Sequence, residues 1–385
     1  MNSFPRSLLH KTVIAVLAAG AVAGSASGAP VALQDVPLYL LSRADPNVLL
    51  NMSVETPMGG AAYTDNVGVP TGCAGRVDVG GHSVGACYLP AYEYIGYFNP
   101  RKCYSYASTQ FNPTGSAAGL PNHTCSGAWS GNFLNWMSMT AIDMFIMTMT
   151  GGNRIVDTSG GSAETVVRRA RKTDNDSWFP IKYLTSGTNV APNTVTPYGD
   201  SALYFYNTTF GFNVATSFDD ARNGSGGGFK GSFTTAVQVC SSTPAGLDDG
   251  NCVSYGSYSK PEGAIQRNAR TKRFGAISYS TDGSSTRDGG VLRSNMKYVG
   301  PTLPDGSTNA AAEFRTDGTL VNNPDGASGG LNSGVINYIN KFSDAAYKSL
   351  DPVSELFYES IRYFKHLGPT PEYSAGLIDT QKGGF

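Results

Sequence analysis

The sequence predicts an α/β protein, and three stretches carry that reading. Residues 46–58 alternate: Val48, Leu50, Met52 and Val54 face one way, and Leu49, Asn51, Ser53 and Glu55 the other, the pattern of a half-buried strand stopped at Pro57. Residues 273–279 read as a second core strand. Between them, residues 133–149 are apolar nearly all round, as in a helix buried in a core or a membrane. Asn135 and Asp143 interrupt that run and favour a core. The helix is expected to lie against a sheet formed by the strands at Val48 and Phe274. Asp143 then needs a buried partner, an Arg or a backbone cap near Gly151.

The start of the chain lies outside this fold. Arg6, His10 and Lys11 precede the apolar run 13–19, and small residues follow to Ala29. This is the order of a secretory signal, and the apolar run is shorter than the about 20 residues a bilayer needs. Residues 1–29 are therefore expected to be a signal peptide and 30–385 the mature chain. Over the full 385 residues, 40% are hydrophobic, enough for a sizeable core, and only 15% are charged. Low charge with 47 Gly suits an exported, loop-rich, β-containing protein, and a net charge of −1 argues against a nucleic-acid partner.

Six cysteines behind a signal point to disulfides. Spacing leaves the connectivity open. Local pairing, Cys73 with Cys87, Cys103 with Cys125 and Cys240 with Cys252, is expected because each pair brackets a Gly- or Pro-rich loop. Zinc is disfavoured: no Cys-x-x-Cys occurs, and His82 and His123 lack helical spacing.

Along the chain, residues 36–41 read as a leading strand and 59–127 as a stapled excursion too long for a bare loop. Ser130 or Asn132 caps the apolar helix, and Gly151-Gly152 ends it. The basic cluster 168–172 reads as a solvated edge or as a contact for an acidic protein surface. Residues 181–258 read as β, with strands at 202–206 and 233–239. Residues 334–342 form a short helix. A last helix is capped by Asp351, starts at Pro352, buries Val353, Leu356, Phe357, Ile361 and Phe364, and ends at Gly368-Pro369. No closing element follows, which suggests a fragment.

An ordered set of short stretches, taken together, resembles the N-terminal region of the type IV pilus tip-associated PilC/PilY family. They are residues 46–50, 96–100 with Cys103-Tyr104, 129–136, 140–143, 151–154, 290–293, 296–300 and 350–359. The resemblance implies a von Willebrand factor A-like sheet flanked by helices, with large β-rich, disulfide-stapled insertions at about 59–128 and 180–270. It implies a non-enzymatic protein of the pilus tip, outer surface or periplasm that supports pilus assembly, adhesion and twitching. Its partners would be pilin or minor pilins, other assembly components, and host or abiotic surfaces. Such proteins usually continue into a β-propeller with a calcium loop, a half absent here.

The metal loop departs from the pattern. Von Willebrand A domains end the first core strand in Asp-x-Ser-x-Ser, whereas here the strand offers Asn51, Ser53 and Glu55, with Asp351 as a distant carboxylate. A hard cation wants several oxygens, usually including carboxylates. No metal and no cofactor are therefore expected in this region, with these four residues the weak candidates. Two other classes stay open. Gly81-His82-Ser83-Val84-Gly85 matches the nucleophile elbow of a serine hydrolase, but Cys87 and Pro90 leave no room for the helix that motif requires. A carbohydrate-binding module would use exposed rings such as Trp178, Tyr92 and Tyr94, although the run Tyr88, Tyr92, Tyr94, Tyr97 reads more readily as packing.

Overall fold

The sheet expected from the strands at Val48 and Phe274 does form, and the structure makes the two strands parallel neighbours. In a computed structural model, β1 (Asn47–Met52) lies parallel to β2 (Arg273–Tyr279), with Leu50 opposite Ala276, and β2 pairs antiparallel with β3 (Gly290–Lys297). The structure describes residues 45–53, 55–63, 76–186, 190–247, 249–279, 289–327, 332–341, 344, 347–349 and 351–374. The signal peptide, the strand at 36–41 and Cys73 lie outside these residues.

Parallel strands need a crossover, and here the crossover spans residues 53–272. Both faces of the three-stranded sheet are covered. Val48, Leu50 and Met52 pack with Phe274 and Ala276 against Ile142 and Ile146 of one helix and Ile336 and Ile339 of another. Leu49, Ile277, Tyr279 and Leu292 pack on the other face under Leu356 and Tyr363. The fold is thus mixed α/β with a layered sheet.

The apolar run 133–149 is two helices rather than one: α1 (Gly131–Ser138) and α2 (Ala141–Thr150). The break is a capping box. Thr140 Oγ1 accepts from the Asp143 N–H at 3.3 Å, and the Asp143 carboxylate takes the Thr140 N–H at 2.9 Å. Asp143 also accepts from the Ala170 N–H at 2.8 Å and lies near Arg169, so the Arg expected beside it is there, while its backbone donors are Thr140 and Ala170 and not the Gly151 end. Ser130 caps α1, as expected. Gly151 ends α2 at φ 84°, where any Cβ would meet the Pro261 carbonyl oxygen at 2.4 Å.

The two helices serve different cores. α2 covers the three-stranded sheet, whereas α1 is buried on every side in a second, aromatic core. That core lies among a six-stranded sheet (in order 129–130, 102–107, 110–116, 236–238, 165–168, 153–157) and a four-stranded antiparallel one (229–234, 211–215, 202–207, 182–185). Phe111, Trp129, Phe212 and Phe233 meet there, with Trp129 and Phe233 centroids 5.3 Å apart. The strand expected at 233–239 breaks at Thr235. Phe229–Thr234 belongs to the four-stranded sheet and Ala236–Gln238 to the six-stranded one.

Cys103 is bonded to Cys125 and Cys240 to Cys252, each with a Cα–Cα distance of 5.6 Å. Cys87 is also disulfide-bonded. Two further helices of the sheet layer are α3 (Val335–Lys341) and α4 (Val353–Phe364), and a short helical turn, Pro371–Ser374, follows them. α4 corrects two expectations. Pro352, not Asp351, is its cap residue, and no side chain caps it. Its inner face is Leu356, Glu359 and Ser360, while Val353, Phe357, Ile361 and Phe364 are exposed.

Candidate functional site

Open sheets with parallel strands gather polar groups beyond the strands' carboxyl ends, and the described polar cluster sits there. β1 ends at Met52, and Ser53 and Glu55 follow. Tyr279 is the last residue of the neighbouring β2. Its hydroxyl reaches Glu55 Oε1 at 3.2 Å and Asp351 Oδ1 at 3.0 Å. Ser53 Oγ bonds the same Glu55 oxygen. The Thr56 N–H donates to the Lys348 carbonyl at 2.9 Å, fixing the turn after β1 beside the segment that carries Asp351.

Two carboxylates converge on a phenol that has one proton to give. Burial, the Asp351 hydrogen bond and the Glu55 charge hold Tyr279 neutral by pushing its pKa well above the usual phenol value. Arg293 sits behind it, its guanidinium donating to the Tyr279 carbonyl at 2.6 Å. Two carboxylates and two hydroxyls make a hard-oxygen set. No histidine among His82, His123 and His366 contacts it, so the cluster pairs no nucleophile with an imidazole base. Its chemistry suits binding.

The structure brings three of the four sequence candidates together: Ser53, Glu55 and Asp351. Asn51 does not join them. It stands opposite Ile277 in the strand pair with its side chain exposed. Tyr279 was missed by sequence reasoning, although its place at the end of a core strand was a usable signal. Among the described residues, one group of three metal-type side chains is close enough to share an ion, Cys240, Asp249 and Cys252. Its two sulfurs are joined in a disulfide, and Asp249 is already bonded to Lys102 Nζ at 2.7 Å.

The other candidates disperse. Ser83 stands in a two-residue-turn hairpin, Val77–Val79 with His82–Val84, and His82 stacks on Phe218 at 3.7 Å. No helix follows, so the elbow geometry is not formed. Tyr88, Tyr94 and Tyr97 are buried, and Tyr92 and Trp178 are partly exposed. The basic cluster is only partly solvated: Arg169 and Lys172 are buried, while the Arg168 and Arg171 side chains are 25% exposed. Arg168 is bonded to Asp344, Arg171 to Asp174 and Lys172 to Asp176. Arg169 is fully buried and donates to the Ser138 and Thr208 carbonyls at 3.0 and 2.6 Å.

Comparison with known proteins bears on the module that surrounds α1. Residues 85–225 match a family described as the PilY1 homolog, small alpha/beta domain. A type IV pilus biogenesis factor PilY1 homolog from Xylella fastidiosa, strain Temecula1, is 34% identical over 336 residues, covering 74% of this chain and 27% of that protein. The chain belongs to the PilY1 family. A second PilY1 homolog of that organism is 27% identical over 345 residues, covering 73% of this chain and 22% of that protein. The chain thus spans about a quarter of the length of the curated relatives it matches. No solved structure matches it. No helix among the described residues is long and apolar enough to cross a membrane.

Proposed function

We propose that this chain is a type IV pilus biogenesis and tip-associated adhesion protein that works by folding and binding rather than by turnover. The 34% identity over 336 residues to a PilY1 homolog carries the reading. Residues 1–29 direct export, and the mature chain acts at the pilus tip, the outer surface or in the periplasm, with pilin, minor pilins and a surface as partners. It supports pilus assembly, attachment and twitching, and this region needs no cofactor. We take the parallel pair β1–β2, the antiparallel β3 and the helices on both faces as a degenerate von Willebrand A-like core, with the aromatic module inserted between β1 and β2. The cluster at Glu55, Tyr279 and Asp351 occupies the corresponding edge without the Asp-x-Ser-x-Ser loop. Two features favour a non-enzymatic role. Ser83 lies on a hairpin, and no histidine among the described residues contacts the oxygen cluster.

Deleting the coding sequence in the cells that encode it should remove surface pili and twitching, and restoring it should return both. Unchanged piliation and attachment in the deletion strain would overturn the proposal. For the metal question, calorimetry with magnesium or manganese should show no micromolar site. A tight site abolished by Glu55→Ala would contradict the reading.

A further inference from the structure

A pocket of about 320 Å³ lies between the strand Asn153–Asp157 and α3, and it shares no residue with the Glu55–Tyr279–Asp351 cluster. Its wall is cationic: Arg154, Arg315 and Lys341 line it. Asp157, the one acid on the wall, is already engaged. Its Oδ1 is held by Lys260 Nζ at 2.8 Å, and its Oδ2 by Arg154 Nη1 at 3.1 Å and the Leu320 N–H at 2.9 Å.

Donors are left over. The Arg154 side chain is 1% exposed, and its Nε–H has no partner. A buried guanidinium N–H without an acceptor is costly unless something else supplies one. The Lys341 ammonium makes no ion pair or hydrogen bond among the described residues. Burial lowers its pKa, opposed by the nearby Asp344, whose carboxylate is held by Arg168 at 3.0 Å. Arg315 spends Nη1 on Thr319 and the Leu320 carbonyl, which leaves Nη2. All three residues line the same pocket, and a negatively charged acceptor is the kind of partner each of them lacks.

The rest of the wall speaks to the remainder of the ligand. Asn337 donates its Nδ2 to the Val321, Asn322 and Ser333 carbonyls, leaving Oδ1. Asn340 is bonded at one end of its amide to Thr150, leaving the other end. Such amide ends suit hydroxyls, which both donate and accept. The volume is at the small end of ligand pockets and fits one ring rather than a chain.

We propose that this pocket binds an acidic sugar, with the ring carboxylate against Arg154, Arg315 and Lys341 and its hydroxyls against the asparagine amides. This goes beyond the pilus role and does not depend on it, because it is read on purified protein and not in cells.

The test is calorimetry of the full chain with the monosaccharides galacturonate and galactose and with inorganic phosphate. The acidic sugar should bind at least about tenfold more tightly than the neutral one. Lys341→Met and Arg315→Gln should each weaken it about tenfold while unfolding at the wild-type temperature. Equal binding of the neutral sugar, equal binding of phosphate, wild-type binding by both folded variants, or no binding of the acidic sugar would each overturn the assignment. Should one variant unfold early, the other carries the comparison.

Discussion

The aromatic module and the three-stranded sheet solve the same problem differently. The module closes on itself. Two asparagines one turn apart on α1 clip the loop that covers it. Asn132 Oδ1 accepts from the Tyr94 N–H at 2.8 Å, while Asn135 donates to the Tyr94 and Phe98 carbonyls, both at 2.7 Å. Two disulfides, Cys103–Cys125 and Cys240–Cys252, brace its strands. The sheet layer relies on apolar contact from both faces, and its outer helix leaves an apolar stripe in solvent: Phe357 is 60% exposed and Phe364 50%. The stretch that matches the family description, 85–225, falls on the closed module. Polar clips and staples thus tie the module's interior together, whereas the sheet layer is held mainly by apolar packing with single hydrogen bonds to its helices, such as Met296 N–H to the Tyr363 hydroxyl at 2.8 Å.

The largest effect should come from breaking the sheet layer at α2. Ile142 is 1% exposed and faces Phe274 and Met52. Ile142→Asp puts an unpaired charge into that core and should abolish folding, seen as loss of the cooperative thermal transition. A cooperative transition near the wild-type temperature would show that the two cores are not coupled through α1 and α2.

Next in size are the staples. Replacing Cys240 and Cys252 together by Ser opens a loop of separation 12 and should cost about 3 kcal/mol in chemical denaturation, with the loss confined to the module. Equal loss of protection over β1 and β2 in hydrogen exchange would erase the distinction between the two regions.

Alkaline pH should separate the regions as well. Burial pushes Tyr63 and Tyr198 up to about 12, and it raises Tyr88, Tyr97 and Tyr104 of the aromatic core well above the usual phenol value. The folded state therefore keeps phenol protons that the unfolded chain loses near pH ~10. Stability is intact below that pH and falls as pH rises toward the folded values. Arg169, drawn down by burial to about 10, works in the opposite direction over the same window but is one group against several. Tyrosinate absorbance should lag that of the unfolded chain and then rise together with loss of the aromatic circular-dichroism signal. Independent titration near pH ~10 with the fold intact would contradict the buried assignment.

The smallest contrast lies along α4. Leu356→Ala should cost about 2–4 kcal/mol, because Leu356 packs on Ile277 and Tyr279. Phe357→Ser, one residue on, should stay within about 0.5 kcal/mol of wild type. Similar losses for both would mean the outer face of α4 is covered in solution.

What the sequence revealed follows a physical divide. Features set by local period were legible: the β1 and β2 strands, the Ser130 cap, and the bounds of α3 to within a residue. The Thr140–Asp143 box was also readable, but continuous hydrophobicity on both sides hid the break. The face of α4 was misread because its apolar stripe and its buried side do not coincide; the sheet takes Leu356, and the rest stays outside. The fate of the basic cluster depends on distant partners, such as Asp344 for Arg168, which spacing does not disclose. The candidate site was half legible. Ser53 and Glu55 could be placed by their position after a strand, whereas Tyr279 enters only through the parallel pairing across more than two hundred residues.

The central claim is that this protein serves the pilus by its fold and not by a reactive serine. The most direct measurement is the count of surface pili in deletion cells that carry either Ser83→Ala or Ile142→Asp. The account predicts wild-type piliation and twitching with Ser83→Ala and neither with Ile142→Asp. Loss of pili with Ser83→Ala, in cells where the Ile142→Asp protein stays folded and piliated, would contradict it and favour an enzyme.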